Sequence, residues 1–296
     1  MDKHIQVIAN PASGQPEAVL STLNSVFHPA GIRWGVSITH ESGDATRLAK
    51  AAAASGVDLV LSYGGDGTVM EVAEGLMGSD IPMAILPGGT ANLMSHELGI
   101  PKDLAGAART AVSENSVIRK VDMGLAGERY FILRVGIGFA GEKVKQTDRE
   151  LKDRFGLMAY TIGALKALKV TKKSRWKISV DGELKEAEGI SLLVDNSGNF
   201  GIPNVTLSHK IRVDDGVLDV IVIRAARFKT IYSIGASVKN KTPAPESFYH
   251  WQGREIQIES DPPQPINGDG EMWGQTPISI KVIPGAVKIV APSPSD

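Results

Sequence analysis

The sequence predicts an α/β domain followed by an all-β domain. Through residue 116, apolar strand-like runs alternate with helical patterns, which is typical of a three-layer fold with a parallel sheet between helices. From residue 117 onward, short apolar runs are separated by clusters of Gly, Asn, Asp and Pro, which is typical of an antiparallel β-sandwich. The chain has 296 residues, which suits two domains. We therefore expect domains at 1–116 and 117–296, and the end of the chain could return to the first.

Composition and charge narrow the class of protein. Hydrophobic residues make up 42% of the chain and charged residues 22%, as in a globular protein with a sizeable core. The net charge of −1 gives no electrostatic reason to expect a nucleic acid partner. Because the chain has no cysteine, disulfides, zinc–thiolate sites and thiol catalysis are excluded. Signal-peptide and membrane-spanning patterns are absent, so we expect a cytoplasmic protein that would meet a membrane from its surface.

The first domain is predicted to contain four strands, each followed by helical sequence. The strands are Ile5–Ala9, Ile32–Thr39, the run that begins at Leu59, and Ile81–Leu86. The helices are Glu17–Phe27, Ala45–Ala54, a pattern from Val69 to Leu76, Asn92–Leu98 and Asp103–Ser113. Asp44 stands where it would cap the second of these helices.

Small, polar, glycine-containing loops follow all four strands. They contain Asn10, Thr39, Gly64 and Gly88. Parallel strands bring their carboxyl ends to one edge of the sheet, and ligands of such sheets bind there. Four independent ordinary turns are the alternative, but their concurrence favours one ligand site.

The loop after the third strand has the composition of a phosphate site. Gly64-Gly65-Asp66-Gly67-Thr68 joins an apolar strand directly to a helical pattern. Backbone N–H groups at such a helix start can bind an anion, and glycines let the chain pass close to it. Asp66 would place a carboxylate beside the anion, which is understandable if a metal ion or a donated hydrogen bond lies between them. A glycine cluster by itself is more often a tight turn.

The second domain is predicted to be mostly strands. They are Val117–Met123, Tyr130–Val135, Trp176–Val180, Ile190–Val194, Val217–Ile223, Ile256–Glu259, Ile278–Ile283 and Val287–Val290. The exception is Arg149–Val170, where apolar residues recur every three or four positions and predict an amphipathic helix. Its C-terminal half and the following residues are basic. A solvated basic face and a contact with an anionic membrane surface both fit this pattern.

Three motifs of the first domain together resemble a known family. They are Asn10-Pro11-Ala12-Ser13-Gly14, Gly64-Gly65-Asp66-Gly67-Thr68 and Pro87-Gly88-Gly89-Thr90-Ala91-Asn92. Their order and spacing resemble the nucleotide-site motifs of the diacylglycerol kinase catalytic domain family, which includes bacterial lipid kinases, sphingosine kinases and ceramide kinases. The two-domain layout extends the resemblance over essentially the whole chain.

The residues that follow the third motif separate related families. NAD kinases share the Gly-Gly-Asp-Gly-Thr motif but carry an Asn-Glu pair where this chain has Asn92-Leu93. Many lipid kinases continue with an aromatic residue or Asp and then Ala-Arg, whereas this chain has Leu93-Met94-Ser95-His96-Glu97-Leu98. The departure leaves substrate contacts at this place open.

Two motifs of the second domain extend the resemblance. Residues 212–219 are similar to the family's Asp-Gly-x-Leu motif, which implies Asp215 as a side-chain ligand of Mg²⁺ beside the backbone carbonyls of Arg212 and Val217. Residues 267–271 are similar to its Asp-Gly-Glu motif, which implies Glu271 as the proton acceptor, with Asp269 as the competing candidate. Without the family, both stretches would be interpreted as β-turns.

The resemblance implies an ATP-dependent lipid kinase that uses Mg²⁺. It would transfer the γ-phosphate to a lipid hydroxyl, with diacylglycerol as the first candidate, in a cleft between the domains. Asp66 would organise the metal and the phosphates. The residues expected at the nucleotide are Asn10, Thr39, Gly64, Gly65, Asp66, Gly67, Thr68, Val69, Met70, Gly89, Thr90 and Asn92.

Several alternatives remain open at this point. The acceptor could instead be a sphingoid base, phosphatidylglycerol or NAD. A nucleotide-binding regulatory protein that has lost catalysis is the alternative from another class, and the joint presence of Asp66, Asp215 and Glu271 argues against it. The expected partners are ATP and a lipid met at the membrane surface, and some members of the family form homodimers.

Overall fold

The computed structural model describes residues 3–13, 17–138, 173–199, 211–224, 248–268 and 271–293. The chain divides into two compact units, one formed by Met1–Val121 with Pro284–Asp296 and the other by Asp122–Ile283. The division falls inside one continuous strand, Ser116–Ala126, and not at its start. The change in composition at residue 117 therefore marks the beginning of that strand.

The first unit alternates strands and helices around a parallel sheet. Its elements are β1 (His4–Ala9), a 3-10 turn (Pro11–Ser13), α1 (Val19–Phe27), β2 (Arg33–Ile38), α2 (Asp44–Ala54), β3 (Leu59–Gly64), α3 (Asp66–Leu76), β4 (Met83–Pro87), α4 (Leu93–Glu97), α5 (Leu104–Val112) and the start of β5 (Ser116–Ala126). Strands β1 to β4 pair in parallel in the order β2-β1-β3-β4. The C-terminal segment adds a further parallel strand beside β4, with Ile289 opposite Met83.

The central strands of this sheet are buried throughout. Every residue of β3 and β4 is buried, as expected where helices cover a parallel sheet on both faces. A Cβ on Gly75 of α3 would lie 2.5 Å from the Thr46 carbonyl oxygen and 2.6 Å from Ala49 Cβ, so glycine allows α2 and α3 to pack closely. The predicted α/β class with a parallel sheet is confirmed.

The start of α2 differs from the prediction. Gly43, with a φ of +87°, is the N-cap, and Asp44 is the first helical residue. The left-handed conformation at this position suits glycine because it has no Cβ. The Asp44 carboxylate instead accepts hydrogen bonds from the His40 N–H and from Arg47, at 2.8 and 2.6 Å.

The second unit consists of two antiparallel sheets. Its elements are the end of β5, then β6 (Arg129–Phe131), β7 (Arg134–Ile137), β8 (Ser174–Val180), β9 (Glu183–Gly189), β10 (Ser191–Asp195), β11 (Leu218–Ile223), β12 (Phe248–Gly253), β13 (Glu255–Asp261), β14 (Pro265–Gly268), β15 (Glu271–Gln275) and the start of β16 (Ile278–Pro292). One sheet has the order β12-β11-β10-β7-β14-β15, and the other contains β16-β13-β8-β9. Buried side chains from both sheets, among them Trp176, Val194 and Val220, form one core. The predicted sandwich-like class is confirmed.

Several strand predictions differ in detail from the structure. The stretch Tyr130–Val135 is two strands, β6 and β7, separated by a bend at residues 132–133. The two strands predicted at the C-terminus are one, β16, which continues through Gly285 at a φ of +57°. Strands β9, β12, β14 and β15 were not predicted because charged, polar or glycine residues interrupt their apolar patterns.

The predicted basic helix Arg149–Val170 lies outside the described residues, as do Gly14 and Asp269. Among the residues that the structure describes, no helix is both long and apolar enough to cross a membrane.

Candidate active site

The loops after the parallel strands are joined by backbone hydrogen bonds. The Asn10 N–H donates to the Tyr63 carbonyl at 2.9 Å, and the Gly88 N–H donates to the Gly64 carbonyl at 2.9 Å. The Thr39 N–H donates to the Ala9 carbonyl at 3.0 Å. The structure therefore brings the four predicted loops together at the carboxyl edge of the sheet, where ligands of such folds bind.

The first loop contacts the start of α3 through side chains. Asn10 Nδ2 donates to Thr68 Oγ1 at 3.2 Å. A Cβ on Gly64 would overlap that same hydroxyl group. Glycine at position 64 thus leaves room for the Thr68 side chain, whose hydroxyl accepts the hydrogen bond from the Asn10 amide.

The third and fourth loops meet through their glycines. A Cβ on Gly89 would lie 2.5 Å from Gly65 Cα, so the two backbones are in direct contact. Asn92 maintains the fourth loop, because its Oδ1 accepts from the Gly89 N–H at 2.9 Å and its Nδ2 donates to the Gly89 carbonyl at 2.8 Å. Asn92 itself has a φ of +48°, a conformation that asparagine tolerates better than most residues.

The N-terminus of α3 lies in this group of loops. Gly65 is its N-cap and has no side chain that could satisfy the first-turn N–H groups. Those groups and the helix dipole favour a bound anion. The side chains of Val69 and Met70 are buried, so these two residues can contribute to a ligand through their backbone.

Asp66 links the third loop to α4. Its Oδ1 accepts a hydrogen bond from the Met94 N–H at 3.2 Å, in the first turn of that helix. Among the other predicted nucleotide residues, Thr39 is buried and Thr90 is exposed. Asp66 therefore fixes the relative position of two loops, besides the role at the phosphates that the sequence suggested.

Tyr63 is a residue of this site that the sequence analysis did not identify. Its hydroxyl donates to Glu17 Oε1 at 2.9 Å, and a Cβ on Gly88 would lie 3.1 Å from its ring. Burial, together with the Glu17 carboxylate, raises the pKa of Tyr63 to about 12. The sequence signal was a large side chain just before a glycine loop. Its partners, Glu17 and Gly88, are 46 and 25 residues away in the chain and were not predictable.

In the second unit, the predicted metal residues share one loop. Asp215 Oδ1 accepts from the Val217 N–H at 3.2 Å. Asp122, which the sequence analysis missed, binds the loop twice: its N–H donates to the Val213 carbonyl at 2.7 Å, and its Oδ2 accepts from the Gly216 N–H at 2.6 Å. The signal was an acidic residue between the apolar Val121 and Met123 of β5, and the Asp122 side chain is almost completely buried.

The electrostatics of this loop suit a cation. Burial raises the pKa of the Asp215 carboxyl, the Val217 N–H opposes this, and the nearby Asp219 and Asp122 carboxylates raise it further. A divalent cation would offset that accumulated negative charge. Within the described ranges, no group of three or more His, Asp or Glu residues is arranged as a metal site. The predicted Mg²⁺ ligands are instead one carboxylate, from Asp215, and two backbone carbonyls. Oxygen donors of this sort fit Mg²⁺.

Glu271 is the first residue of β15 and lies opposite Gly268 of β14. Its Oε2 accepts from Arg129 Nη1 at 3.3 Å. The predicted nucleotide residues therefore lie in the loops around α3 of the first unit. The second unit carries the metal residues in the loop before β11 and Glu271 on β15, and three strands, β10, β7 and β14, separate β11 from β15 in the sheet.

Two family models match successive parts of the chain. Residues 4–126 match the family model of the diacylglycerol kinase catalytic domain. Residues 134–291 match the family model described as the YegS C-terminal NAD kinase beta sandwich-like domain.

Curated relatives align over most of the chain. A probable YegS-like lipid kinase of Chromohalobacter salexigens is 31% identical, with 98% of this chain and 93% of that protein covered. A diacylglycerol kinase of Bacillus subtilis is 28% identical, with 93% and 92% covered. An uncharacterized protein of Synechocystis is 31% identical over 80% of this chain, and the chain spans 55% of that longer protein.

A solved structure shows the same fold. The crystal structure of a diacylglycerol kinase from Bacillus anthracis superposes with a TM-score of 0.77 at 29% identity, and the match covers 98% of this chain and 97% of that one. The motifs, the two units and these similarities agree, and the chain belongs to the family of diacylglycerol kinase-like and YegS-like lipid kinases.

Proposed function

We propose that the protein transfers the γ-phosphate of ATP to the free hydroxyl of diacylglycerol, which yields phosphatidate and ADP. The observation that carries this proposal is the backbone contact between Gly65 and Gly89 beside the start of α3. It assembles N–H groups from two glycine loops at a helix N-terminus, which suits a polyphosphate. The relatives named as diacylglycerol kinase and lipid kinase support the choice of acceptor.

The residues of the first unit would bind and orient the donor. Phosphoryl transfer depends mainly on positioning and on neutralising charge. Gly64 to Met70 would contact the phosphates through their backbone, while Asn10, Thr39, Thr90 and Asn92 would supply further polar contacts or support the loops. Asp66 would organise the phosphates and hold the loop to α4.

The loop of residues 212–217 would hold Mg²⁺ through the Asp215 carboxylate and the carbonyls of Arg212 and Val217. The ion supplies positive charge that offsets negative charge during transfer. Asp122 would maintain the shape of the loop through its two hydrogen bonds.

Glu271 would accept the proton of the lipid hydroxyl. The hydroxyl oxygen forms the new bond to the γ-phosphorus, the bond from that phosphorus to the bridging oxygen breaks, and ADP leaves with the bond's electrons. Asp269, outside the described residues, is the competing acceptor for the proton. The lipid is met at the membrane surface by a protein that works from the cytoplasm.

A direct assay tests this proposal. Wild-type protein, Mg²⁺ and γ-labelled ATP are incubated with phosphatidylcholine vesicles that contain diacylglycerol, and lipids are separated by thin-layer chromatography. We expect labelled phosphatidate from wild type, at least ~10²-fold less from Glu271→Gln, and wild-type yield from Glu188→Gln, an exposed glutamate of the same unit. Absence of labelled lipid from folded wild-type protein would refute the proposal.

A further inference from the structure

Gly268, which lies opposite Glu271 in the pairing of β14 with β15, is covered by an aromatic ring. Trp273 lies over Gly268, where a Cβ would collide with ring carbons of the indole. The pairing of β14 and β15 shifts its register next to these residues, between Ile266 and Asn267. Glycine at position 268 thus provides the space that the Trp273 ring occupies at the end of β14.

A guanidinium group lies over the same ring. Arg129 Cζ is 5.7 Å from the centroid of a Trp273 ring, within the range of a cation–π interaction. Arg129 comes from β6, 142 residues before Glu271 in the chain, and its Nη1 donates to Glu271 Oε2 at 3.3 Å. One guanidinium therefore contacts both the ring and the carboxylate.

We propose that Arg129 is a positioning residue for Glu271, and that Trp273 fixes the Arg129 guanidinium. This inference rests on the proposed function, in which Glu271 accepts the hydroxyl proton. The hydrogen bond from Arg129 uses Oε2, and within the described part of the chain Oε1 has no hydrogen-bond donor. Arg129 thus orients the carboxylate and leaves one oxygen for the proton.

The contact between Arg129 and Glu271 contributes to the rate of phosphoryl transfer and not to the stability of the fold. The side chains of Arg129 and Glu271 are 53% and 67% exposed, and exposed ion pairs of this kind stabilise a fold very little. A glutamate side chain has several rotatable bonds, so loss of its partner leaves the carboxylate in many orientations. Small misplacements of reacting groups are costly to rate.

Substitutions at residue 129 test the role. We expect Arg129→Ala to lower kcat by ~10-fold to 100-fold with an unchanged KM for ATP and an unchanged melting temperature. Arg129→Lys should recover part of the rate, because lysine keeps the charge but lacks the planar, forked donor. Arg175→Ala is the matched control, since Arg175 is 79% exposed in the same unit and pairs with Glu188; it should retain wild-type kcat.

Two further measurements separate positioning from a structural effect. Because Arg129→Ala vacates the space of the guanidinium that contacts Glu271, added guanidinium chloride at non-denaturing concentration should restore activity to Arg129→Ala and not to Glu271→Gln. In a Glu271→Gln background, Arg129→Ala should cause no further loss of kcat.

Trp273→Leu should also reduce kcat, but by less than Arg129→Ala does. It provides a second variant should Arg129→Ala fold poorly.

The outcomes are distinguishable from failure of the proposed function. If wild type transfers no phosphate to lipid, the proposed function fails. If wild type is active and Arg129→Ala and Trp273→Leu match Arg175→Ala in kcat, the positioning role is wrong and the proposed function stands. An equal loss from Arg129→Ala with and without Glu271 would also overturn the positioning role.

Discussion

Gly65 and Gly89 touch through their backbones, and the contact is asymmetric. A Cβ on Gly89 would lie 2.5 Å from Gly65 Cα, whereas a Cβ on Gly65 would lie 3.6 Å from Gly89 Cα. A Cβ on Gly89 would therefore push the two loops apart, whereas a Cβ on Gly65 would make an ordinary van der Waals contact. The two glycines are therefore not equivalent, although both stand in glycine pairs of the sequence.

Substitution of these glycines should have unequal effects. We expect Gly89→Ala to separate the loops and raise the KM for ATP by about 10-fold or more, and Gly65→Ala to raise it less. Gly35→Ala is a suitable control, because a Cβ there meets the flexible end of Gln6. Steady-state kinetics and calorimetric titration with ATP measure the effect. Equal KM values for the two variants would contradict the loop contact.

Removal of the Tyr63 hydroxyl should weaken nucleotide binding while leaving the ring in place over Gly88. The hydroxyl joins β3 to Glu17 at 2.9 Å, and the loss of one such bond costs about 1 kcal/mol of folding stability. Because the bond supports the loops and does not touch the nucleotide, we expect KM for ATP to rise by less than roughly 5-fold. Because the pKa of Tyr63 is raised to about 12, spectrophotometric titration of Tyr63→Phe should lack the component that ionises at the highest pH. A titration curve identical to that of wild type would show that Tyr63 is not the perturbed tyrosine.

The strand-end loops were predictable because glycines and small polar residues occur there in a fixed order. Gly64, Gly65 and Gly89 were recognisable for this reason, and the structure confirms the fold on which that argument depended. Tyr63, Asp122 and Arg129 were missed, since each acts on a partner far away in the chain: Glu17, Gly216 and Glu271. Short-range patterns contain no information on such pairs.

Loss of the Asp122 side chain should loosen the predicted Mg²⁺ loop. Asp122→Ala leaves the Gly216 N–H without its acceptor, which should cost about 1–3 kcal/mol in the free energy of unfolding. Asp122→Asn retains an acceptor oxygen but lacks the charge, so we expect little loss of stability and weaker Mg²⁺ binding. Chemical denaturation and the Mg²⁺-dependent shift in melting temperature separate the two effects. If both variants respond to Mg²⁺ like wild type, Asp122 does not shape a metal site in this loop.

The buried Asp195 should make stability depend on pH. Burial and the opposite carboxylate of Asp219 raise its pKa to about 6, against the influence of Arg134 and His250. The folded protein then binds this proton more tightly than the unfolded chain does, so the stabilisation is complete below pH ~4 and is lost as the pH rises through about 6. The loss amounts to about 3 kcal/mol.

Asp195→Asn should lack this pH dependence, because its amide does not titrate. The difference in the free energy of unfolding between wild type and Asp195→Asn should therefore change between pH 4 and 7, as measured by urea denaturation. Glu186→Gln, an exposed substitution on β9, should have the same pH dependence of the free energy of unfolding as wild type. If that free energy varies with pH in the same way for wild type and Asp195→Asn, the pKa of Asp195 is not raised.

For the second unit, the antiparallel β class was predictable from the sequence, but several of its strands were not. Runs such as Trp176–Val180 and Ile256–Glu259 alternate buried and outward residues, which made them recognisable as strands. Strand β9, whose sequence is rich in glutamate and lysine, is held by its pairing with β8 and not by its own pattern. Strand β15, which carries Glu271, is similarly short and polar, so its position opposite β14 had to come from the structure.

A panel of acceptors tests the central claim most directly. Wild-type protein is given γ-labelled ATP, Mg²⁺ and, in separate reactions, diacylglycerol, sphingosine or phosphatidylglycerol in phosphatidylcholine vesicles, or NAD in solution. We expect label in phosphatidate at a rate well above that of any other product. Preferential labelling of another acceptor, or no labelled product in any reaction of the folded protein, would contradict the proposed transfer of phosphate to diacylglycerol.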